Sequence, residues 1–162
     1  MLLAELAAKL KAEGLTLHEK LEALFWQHGF HTERLVTQKM TGSEGMARMK
    51  SLMATFRSSP PKSIGGLEVA RIRDYQSNKT LLPAGTQEAL DGPAGNMVII
   101  DLSKPGNYVA VRPSGTEPKV KFYAFAFEPA EQIANLDTTK QECEELIDRM
   151  GADLAAFADT VK

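Results

Sequence analysis

The chain has 162 residues, a net charge of −2 at pH 7, 43% hydrophobic residues and 25% charged residues. This length and composition suit one soluble domain with an ordinary buried core, with or without an attached fragment of another. The slightly acidic balance argues against nucleic acid or an anionic membrane as the main partner, because both usually bind basic surfaces.

Cysteine usage indicates the cellular compartment. Cys143 is the only cysteine, which excludes an internal disulfide and suits a reducing environment, so we expect a cytoplasmic protein. Glu142, Glu144 and Glu145 are its neighbours in sequence, and their negative charges disfavour the reactive thiolate. We therefore expect Cys143 to be a buried or half-buried structural thiol.

Residues 1–29 predict two amphipathic helices. Apolar residues recur at helical spacing in the first helix, and Gly14 follows as a stop. Thr16 and Glu19 form a capping-box pattern at the start of the second helix, which Gly29 ends. Each helix has an apolar face that other parts of the protein must cover. The face of the first helix consists of Leu3, Leu6, Ala7 and Leu10.

A strand and a third helix follow. Residues 30–40 alternate loosely between apolar and polar side chains, which predicts a strand. Thr41 and Glu44 form another capping-box pattern, and we expect them to begin a helix that ends at the Ser-Ser-Pro-Pro run of residues 58–61. The apolar face of this helix is interpreted as core packing, and it consists of Met46, Met49, Met53 and Phe56.

The second half of the chain predicts strands joined by turns. Residues 67–72 predict a strand after a pair of glycines. Residues 76–95 are rich in Gly, Pro, Asn and Thr without any period, which predicts a long surface loop. Three further strands are predicted at residues 97–102, 108–112 and 119–127.

A last helix completes the predicted fold. Thr138 and Gln141 are the candidate cap at its start, and Gly151 should weaken it by about 1 kcal/mol relative to alanine. A strand, a helix, several strands with short connections and a final helix are typical of an α+β fold. We therefore predict a two-layer domain with a mainly antiparallel sheet and helices on one face, preceded by a helical segment.

The turn between the last two predicted strands, with the sequence RPSGTEP, combines several anion-binding groups at residues 112–118. A guanidinium binds phosphate with two parallel hydrogen bonds, and hydroxyls and bare backbone amides satisfy the remaining oxygens. Two lysines follow on one face of the exit strand, because side chains alternate along a strand. A polar turn without any ligand is the alternative. The candidate phosphate-binding residues are Arg112, Ser114, Gly115, Thr116, Lys119 and Lys121.

These residues also carry a family resemblance. The stretch RPSGTEPKVKFY resembles the phosphate-binding loop in the last domain of the α-D-phosphohexomutases, the phosphoglucomutase/phosphomannomutase family. The resemblance continues upstream through GLTLHEKLEALFWQHGFHTERLV, GSEGMARMKSLM and SSPPKSIGGLEVARIRDY. The KVKFY continuation looks more like the glucose/mannose branch than the glucosamine branch. The resemblance implies a fold similar to that of the TATA-binding protein, a likeness that carries no function by itself.

The resemblance implies an isomerase of carbohydrate metabolism that transfers phosphate through a phosphoserine and forms a bisphosphate intermediate. Its substrates would be glucose or mannose phosphates, and the full-length enzyme would require Mg²⁺. Three family elements are missing from this sequence, namely the phosphoserine loop, the D-x-D-x-D magnesium loop and the G-E-E-S-G-like sugar loop. We therefore expect a fragment with no catalytic residue, no metal site and no cofactor of its own.

The resemblance also predicts the domain organisation. Residues 1–29 would be a helical segment from the end of the preceding domain, and residues 30–162 would be the C-terminal phosphate-binding domain. The partners would be the phosphosugar and the remaining mutase domains, with neither nucleic acid nor membrane. A first helix separated from its original partner would expose Leu3, Leu6 and Leu10.

Two other interpretations remain open at this point. The chain could be a stand-alone module that binds a phosphosugar or another anion without catalysis. It could also be an inert α+β domain whose RPSGTEP turn is only a hairpin loop.

The missing phosphoserine and magnesium loops lead to a first prediction. The 162-residue chain by itself should show no mutase activity with glucose or mannose phosphates, with or without Mg²⁺ and a bisphosphate activator. A coupled assay of sugar phosphate isomerisation measures this. Turnover above background that disappears when Arg112 is replaced would contradict the fragment interpretation.

Overall fold

The computed structural model describes residues 2–83 and 85–161. Within these ranges no helix combines the length and the hydropathy that crossing a membrane requires. The elements in chain order are α1 (Leu2–Ala12), α2 (Leu17–His28), β1 (Phe30–Lys39), α3 (Gly45–Ser58), β2 (Ser63–Ile64), β3 (Leu67–Asp74), β4 (Lys79–Leu81), β5 (Gln87–Ala89), β6 (Val98–Leu102), β7 (Tyr108–Pro113), β8 (Lys119–Glu128), a 3₁₀ turn (Ala130–Gln132) and α4 (Leu136–Thr160).

The strands form one antiparallel sheet. Seven of them follow the order β1-β8-β7-β6-β3-β4-β5, and the short β2 pairs with β3. The first strand of the chain therefore lies beside the last one, and the two pair residue by residue from Phe30 with Glu128 to Lys39 with Lys119. The predicted α+β fold with an antiparallel sheet is confirmed.

One face of the sheet is covered by α3 and α4. Alternate residues of β8 point to that face, and Val120, Phe122 and Ala124 are fully buried there. Phe56 of α3 contacts Phe122 with ring centroids 5.9 Å apart. The opposite face of the sheet is open, so the fold has two layers with its core between the sheet and these helices. The main core residues of α4 are Leu146, Ile147, Met150 and Leu154.

Helix α4 is continuous through Gly151. A Cβ atom added at this position would lie 3.3 Å from Cγ2 of Val36 on β1. The glycine that weakens the helix thus allows the helix and the sheet to approach closely.

Cys143 of the same helix is 4% exposed. Burial raises the pKa of its thiol, and the negative charge of Glu128 raises it further. The predicted structural role of this thiol is consistent with both observations.

Two predicted helix caps are wrong. Helix α3 begins at Gly45 after Glu44, whose side chain makes no capping hydrogen bond, so the Thr41–Glu44 capping box does not form. Helix α4 begins earlier than predicted, at the N-cap Asn135, whose side chain accepts a hydrogen bond from the Thr138 amide at 2.9 Å. Thr138 occupies the third position of the helix, where its backbone amide needs the partner that Asn135 supplies.

The predicted loop at residues 76–95 contains two short strands that the sequence did not indicate. β4 and β5 pair with each other from Lys79 with Ala89 to Leu81 with Gln87, at the edge of the sheet. Each has only three residues and β5 is fully exposed, so neither has the apolar alternation by which strands are recognised.

The N-terminal segment contains the two helices that its sequence predicts. The capping box of α2 is present, because Thr16 Oγ1 accepts from the Glu19 amide at 3.1 Å and the Glu19 carboxylate accepts from the Thr16 amide at 2.7 Å. In α1, Leu3 is 67% exposed and Leu6 is 39% exposed, but Leu10 is 4% exposed. The predicted exposed stripe is therefore wrong for Leu10, which is buried instead.

A polar network joins the end of α3 to the sheet. Asp74 is 5% exposed and accepts hydrogen bonds from Arg57 Nε at 3.0 Å, Ser77 Oγ at 2.7 Å and the Gln76 amide at 3.1 Å. Burial alone would raise the pKa of Asp74, but the bonds from Ser77, Arg57 and Gln76 outweigh it and lower the pKa. The guanidinium of Arg57 also donates to the Asn96 side chain at 2.7 Å. The network thus holds both ends of the connection that contains β4 and β5.

This network predicts a dependence of stability on pH. A carboxyl group with a lowered pKa in the folded state stabilises the fold above its unfolded pKa of about 3.9, and this contribution is lost as the pH falls further. Replacing Asp74→Asn should lower the free energy of unfolding by about 2 kcal/mol at pH 7, because Arg57 loses its charged partner. Urea unfolding between pH 7 and pH 3 measures the difference, which should shrink as the pH falls.

Asp148→Asn is the matched control for that variant. Asp148 pairs with Arg34, but its side chain is 68% exposed, so the same chemical change should have a small effect at every pH. Equal destabilisation by the two variants would contradict the assigned role of the Asp74 network.

Candidate phosphate-binding site

The candidate residues lie where β7 ends and β8 begins. These strands are adjacent and antiparallel, and Arg112 lies directly opposite Lys121 in their register. Val111 of β7 and Val120 of β8 are fully buried on the helix side. Their neighbours Arg112, Lys119 and Lys121 therefore project from the open face, because successive side chains alternate. The predicted placement of both lysines on one face is confirmed.

The loop between the strands is held by backbone hydrogen bonds. The Ser114 amide donates to the Lys119 carbonyl at 2.9 Å, which closes the loop, and the Lys119 amide donates to the Glu117 carbonyl at 2.8 Å. The Pro118 carbonyl accepts a hydrogen bond from the Met40 amide at 2.8 Å, so the residue that follows β1 also holds the loop in place. The RPSGTEP segment is thus an ordered turn whose position depends on three strands.

The polar groups of the loop face solvent. Gly115 and Thr116 are exposed, and Ser114 is half-buried. A Cβ atom added at Gly115 would meet no other atom within 4 Å, and the φ of Gly115 lies outside the left-handed region. The fold itself therefore does not require glycine at this position. Whether the Gly115 backbone contacts a ligand stays a prediction, and the space on its Cβ side is open.

Arg112 differs from the other arginines on the open face. Arg71 and Arg73 both bind Asp101, at 2.6 Å and 2.7 Å, as expected for structural ion pairs. In contrast, Arg112 is exposed and makes no salt bridge or side-chain hydrogen bond to any residue in the described ranges. Such a guanidinium is free to bind an anion with its full set of donors.

The structure adds a fourth cation that the sequence analysis missed. Lys39 lies opposite Lys119 in the pairing of β1 with β8, on the same open face. Lys39 lies in the predicted first strand, and the alternation of that strand places its side chain on the polar face. Only the pairing of β1 with β8, which are far apart in the chain, brings it near the loop. No local pattern in the sequence contains that information.

One acidic residue lies among these cations. The carboxylate of Glu117 forms an ion pair with the ammonium group of Lys119. The hydrogen bond and charge of Lys119 lower the pKa of Glu117, and the charges of Lys39 and Lys121 add to the effect. The site is therefore strongly basic, with one internal anion.

The arrangement suits an oxyanion and not a metal ion. Residues 2–83 and 85–161 contain no group of three His, Cys, Asp or Glu side chains that could hold a metal. The positive charges of the loop favour an anion over a cation.

Comparison with known proteins identifies the family. The family model described as the phosphoglucomutase/phosphomannomutase C-terminal domain matches residues 36–141. The chain belongs to this family. Phosphoglucomutase from Staphylococcus aureus strain MRSA252 is 37% identical over 123 residues, which cover 75% of this chain and 22% of that protein. Phosphoglucomutase from strain MSSA476 is 36% identical over the same coverage.

The fold comparison agrees with the family. The structure superposes on pp63/parafusin, a phosphoglucomutase from Paramecium in an open form, with a TM-score of 0.51 and 17% sequence identity. The match covers 90% of this chain and 24% of the other. The chain thus spans about a quarter or less of the length of the relatives it matches, and its matched segment is the C-terminal domain of the family.

The exposure of the loop predicts that its ligand residues contribute little to stability. Arg112→Ala and Gly115→Ala should each change the melting temperature by no more than about 2 °C, because neither removes a contact with the core. Thermal unfolding monitored by circular dichroism measures this. Arg57→Ala is the contrasting variant, since its guanidinium binds Asp74, and a clear decrease is expected there. A large decrease for Arg112→Ala would make Arg112 a structural residue.

Proposed function

We propose that this domain binds the non-reacting phosphate of a hexose phosphate in a phosphoglucomutase or phosphomannomutase. The observation that carries the proposal is Arg112, an exposed and unpaired guanidinium within the described ranges. It lies opposite Lys121 and beside a loop with one exposed and one half-buried hydroxyl. A phosphate dianion would satisfy all of these groups together.

Each residue has a definite task in this proposal. Arg112 donates two parallel hydrogen bonds to two phosphate oxygens. Ser114 and Thr116 donate their hydroxyl protons to the remaining oxygens, and the backbone at Gly115 approaches closely because no side chain is in the way. Lys119 and Lys121 add positive charge from the open face of β8. These six residues hold the phosphate without touching the reacting end of the sugar.

Such a site contributes to catalysis by positioning. The reacting phosphate exchanges with a phosphoserine in another domain, and the second phosphate needs a fixed anchor meanwhile. Binding energy from this remote anchor can stabilise the transition state as well as the ground state. The bisphosphate intermediate must then turn round, so that each phosphate occupies the anchor in turn. An exposed site on a domain that swings relative to the others allows this release and recapture.

The rest of the reaction belongs to parts of the enzyme outside this chain. The phosphoserine, the Mg²⁺ that supports phosphoryl transfer, and the residues that distinguish glucose from mannose would lie in the remaining domains. We assign residues 1–29 to the end of the preceding domain and residues 30–162 to the phosphate-binding domain. The proposed enzyme acts in the cytoplasm, where hexose phosphates are metabolised.

Phosphate binding by the chain itself tests the proposal. Glucose 6-phosphate and inorganic phosphate should bind with millimolar or weaker affinity, about 4 kcal/mol of binding free energy, because one subsite offers few contacts. Backbone amide shifts in an NMR titration should move mainly at residues 112–121. Arg112→Lys should weaken binding at least about tenfold, since lysine cannot form the planar two-point contact.

The matched control is Arg71→Lys. It makes the same substitution on the same face of the sheet, at a residue that already binds Asp101. Phosphate affinity should be unchanged in this variant. Shifts that concentrate elsewhere while residues 112–121 remain unperturbed, or equal effects of the two lysine variants, would refute the proposed site.

A further inference from the structure

The proposed phosphate site contains one carboxylate of its own, that of Glu117. What we infer about this residue rests on the proposed function. Glu117 belongs to the loop between β7 and β8, and its side chain is 61% exposed. Lys119, with which it pairs, is 25% exposed. The pair therefore lies at the surface of the site, where a ligand can reach both members.

The pairing of three strands concentrates positive charge around this glutamate. Lys39 on β1 lies opposite Lys119 on β8, and Lys121 lies opposite Arg112 on β7. Adjacent strands are only about 4.8 Å apart, and like charges directly opposite each other are destabilising. Four cations thus share one patch of the open face, and Glu117 is the one acidic residue that pairs with them among the described residues.

A cavity of about 300 Å³ lies at this patch. Lys39, Glu117 and Lys119 line it together with the backbone turn at Gly42, where an added Cβ would meet no atom within 4 Å. Glu117 thus borders one cavity together with two lysines.

We propose that Glu117 is a built-in competitor of the substrate's phosphate. Its carboxylate neutralises Lys119 in the phosphate-free loop, and Lys119 exchanges this carboxylate for a phosphate oxygen when the ligand binds. Lys39, opposite Lys119, is the further cation of the site. The exchange needs little energy, because ion pairs at the surface hold their members weakly.

The competition has a functional consequence for the reaction proposed above. An anchor made of four uncompensated cations would hold a phosphate dianion tightly and release it slowly. An internal carboxylate that returns to Lys119 as the phosphate leaves lowers the affinity and shortens the bound lifetime. This property suits an intermediate whose two phosphates must exchange places.

Glu117→Gln tests the inference, since it removes the charge and keeps the size of the side chain. Inorganic phosphate should bind this variant of the chain about threefold more tightly than the parent at low ionic strength, as the loss of an exposed competing charge implies. The difference should fall as salt screens the charges. An NMR titration at two salt concentrations measures both effects. Glu131→Gln, an equal charge loss at an exposed position beyond the far end of β8, should leave phosphate affinity unchanged.

A double-mutant cycle separates competition from a general charge effect. If Glu117 acts by holding Lys119, then Glu117→Gln should give a much smaller gain in a Lys119→Gln background. Unchanged or weaker phosphate binding by Glu117→Gln, while Arg112→Lys still weakens it, would overturn the competition and leave the phosphate site standing. An equal gain in both backgrounds would also overturn it. Absence of phosphate binding in parent and variant would overturn the site and the competition together.

Discussion

The pairing of β1 with β8 is the interaction on which the rest of the structure depends. It joins residues from opposite ends of the domain over ten consecutive positions, from Phe30 with Glu128 to Lys39 with Lys119. The alternation of β8 then gives the sheet its two faces, because Val120 and Phe122 are buried under the helices while Lys119 and Lys121 point away. A shift of one residue in this register would bury the lysines and expose the core. The register that builds the core also assembles the basic site.

The site is a region where the fold leaves charges unbalanced. Elsewhere on the molecule, arginines have partners: Arg57 binds Asp74, and Arg71 binds Asp101. At the ends of β1, β7 and β8, a cluster of cations shares one internal carboxylate, that of Glu117. Unsatisfied charge of this kind costs stability and is retained where a ligand supplies the missing counter-charge. The contrast between paired and unpaired arginines supports the proposed role of Arg112 as much as the motif does.

Local sequence patterns predicted most of the fold and where the candidate loop lies in it, and the errors have physical causes. The loop residues 112–118 and both lysines of β8 could be found because their chemistry is contiguous in sequence. Lys39 could not, because its position depends on a pairing between strands that are far apart in the chain. The Thr138 cap was wrong because Asn135, three residues earlier, offered an equally good side chain. Burial of Leu10 was missed because it depends on packing between elements.

The long-range closure of the sheet has a consequence for how the protein folds. Contacts between distant parts of the chain form slowly, because the loop between them must first lose conformational freedom. The β6–β7 and β7–β8 pairings connect strands joined by short turns, so they need less loop closure than the β1–β8 pairing. β1 can pair with β8 only after residues 119–128 have been synthesised. The position of Lys39 and the hydrogen bond from the Met40 amide to the Pro118 carbonyl therefore depend on this slower pairing, whereas the RPSGTEP turn joins two strands that are neighbours in the chain.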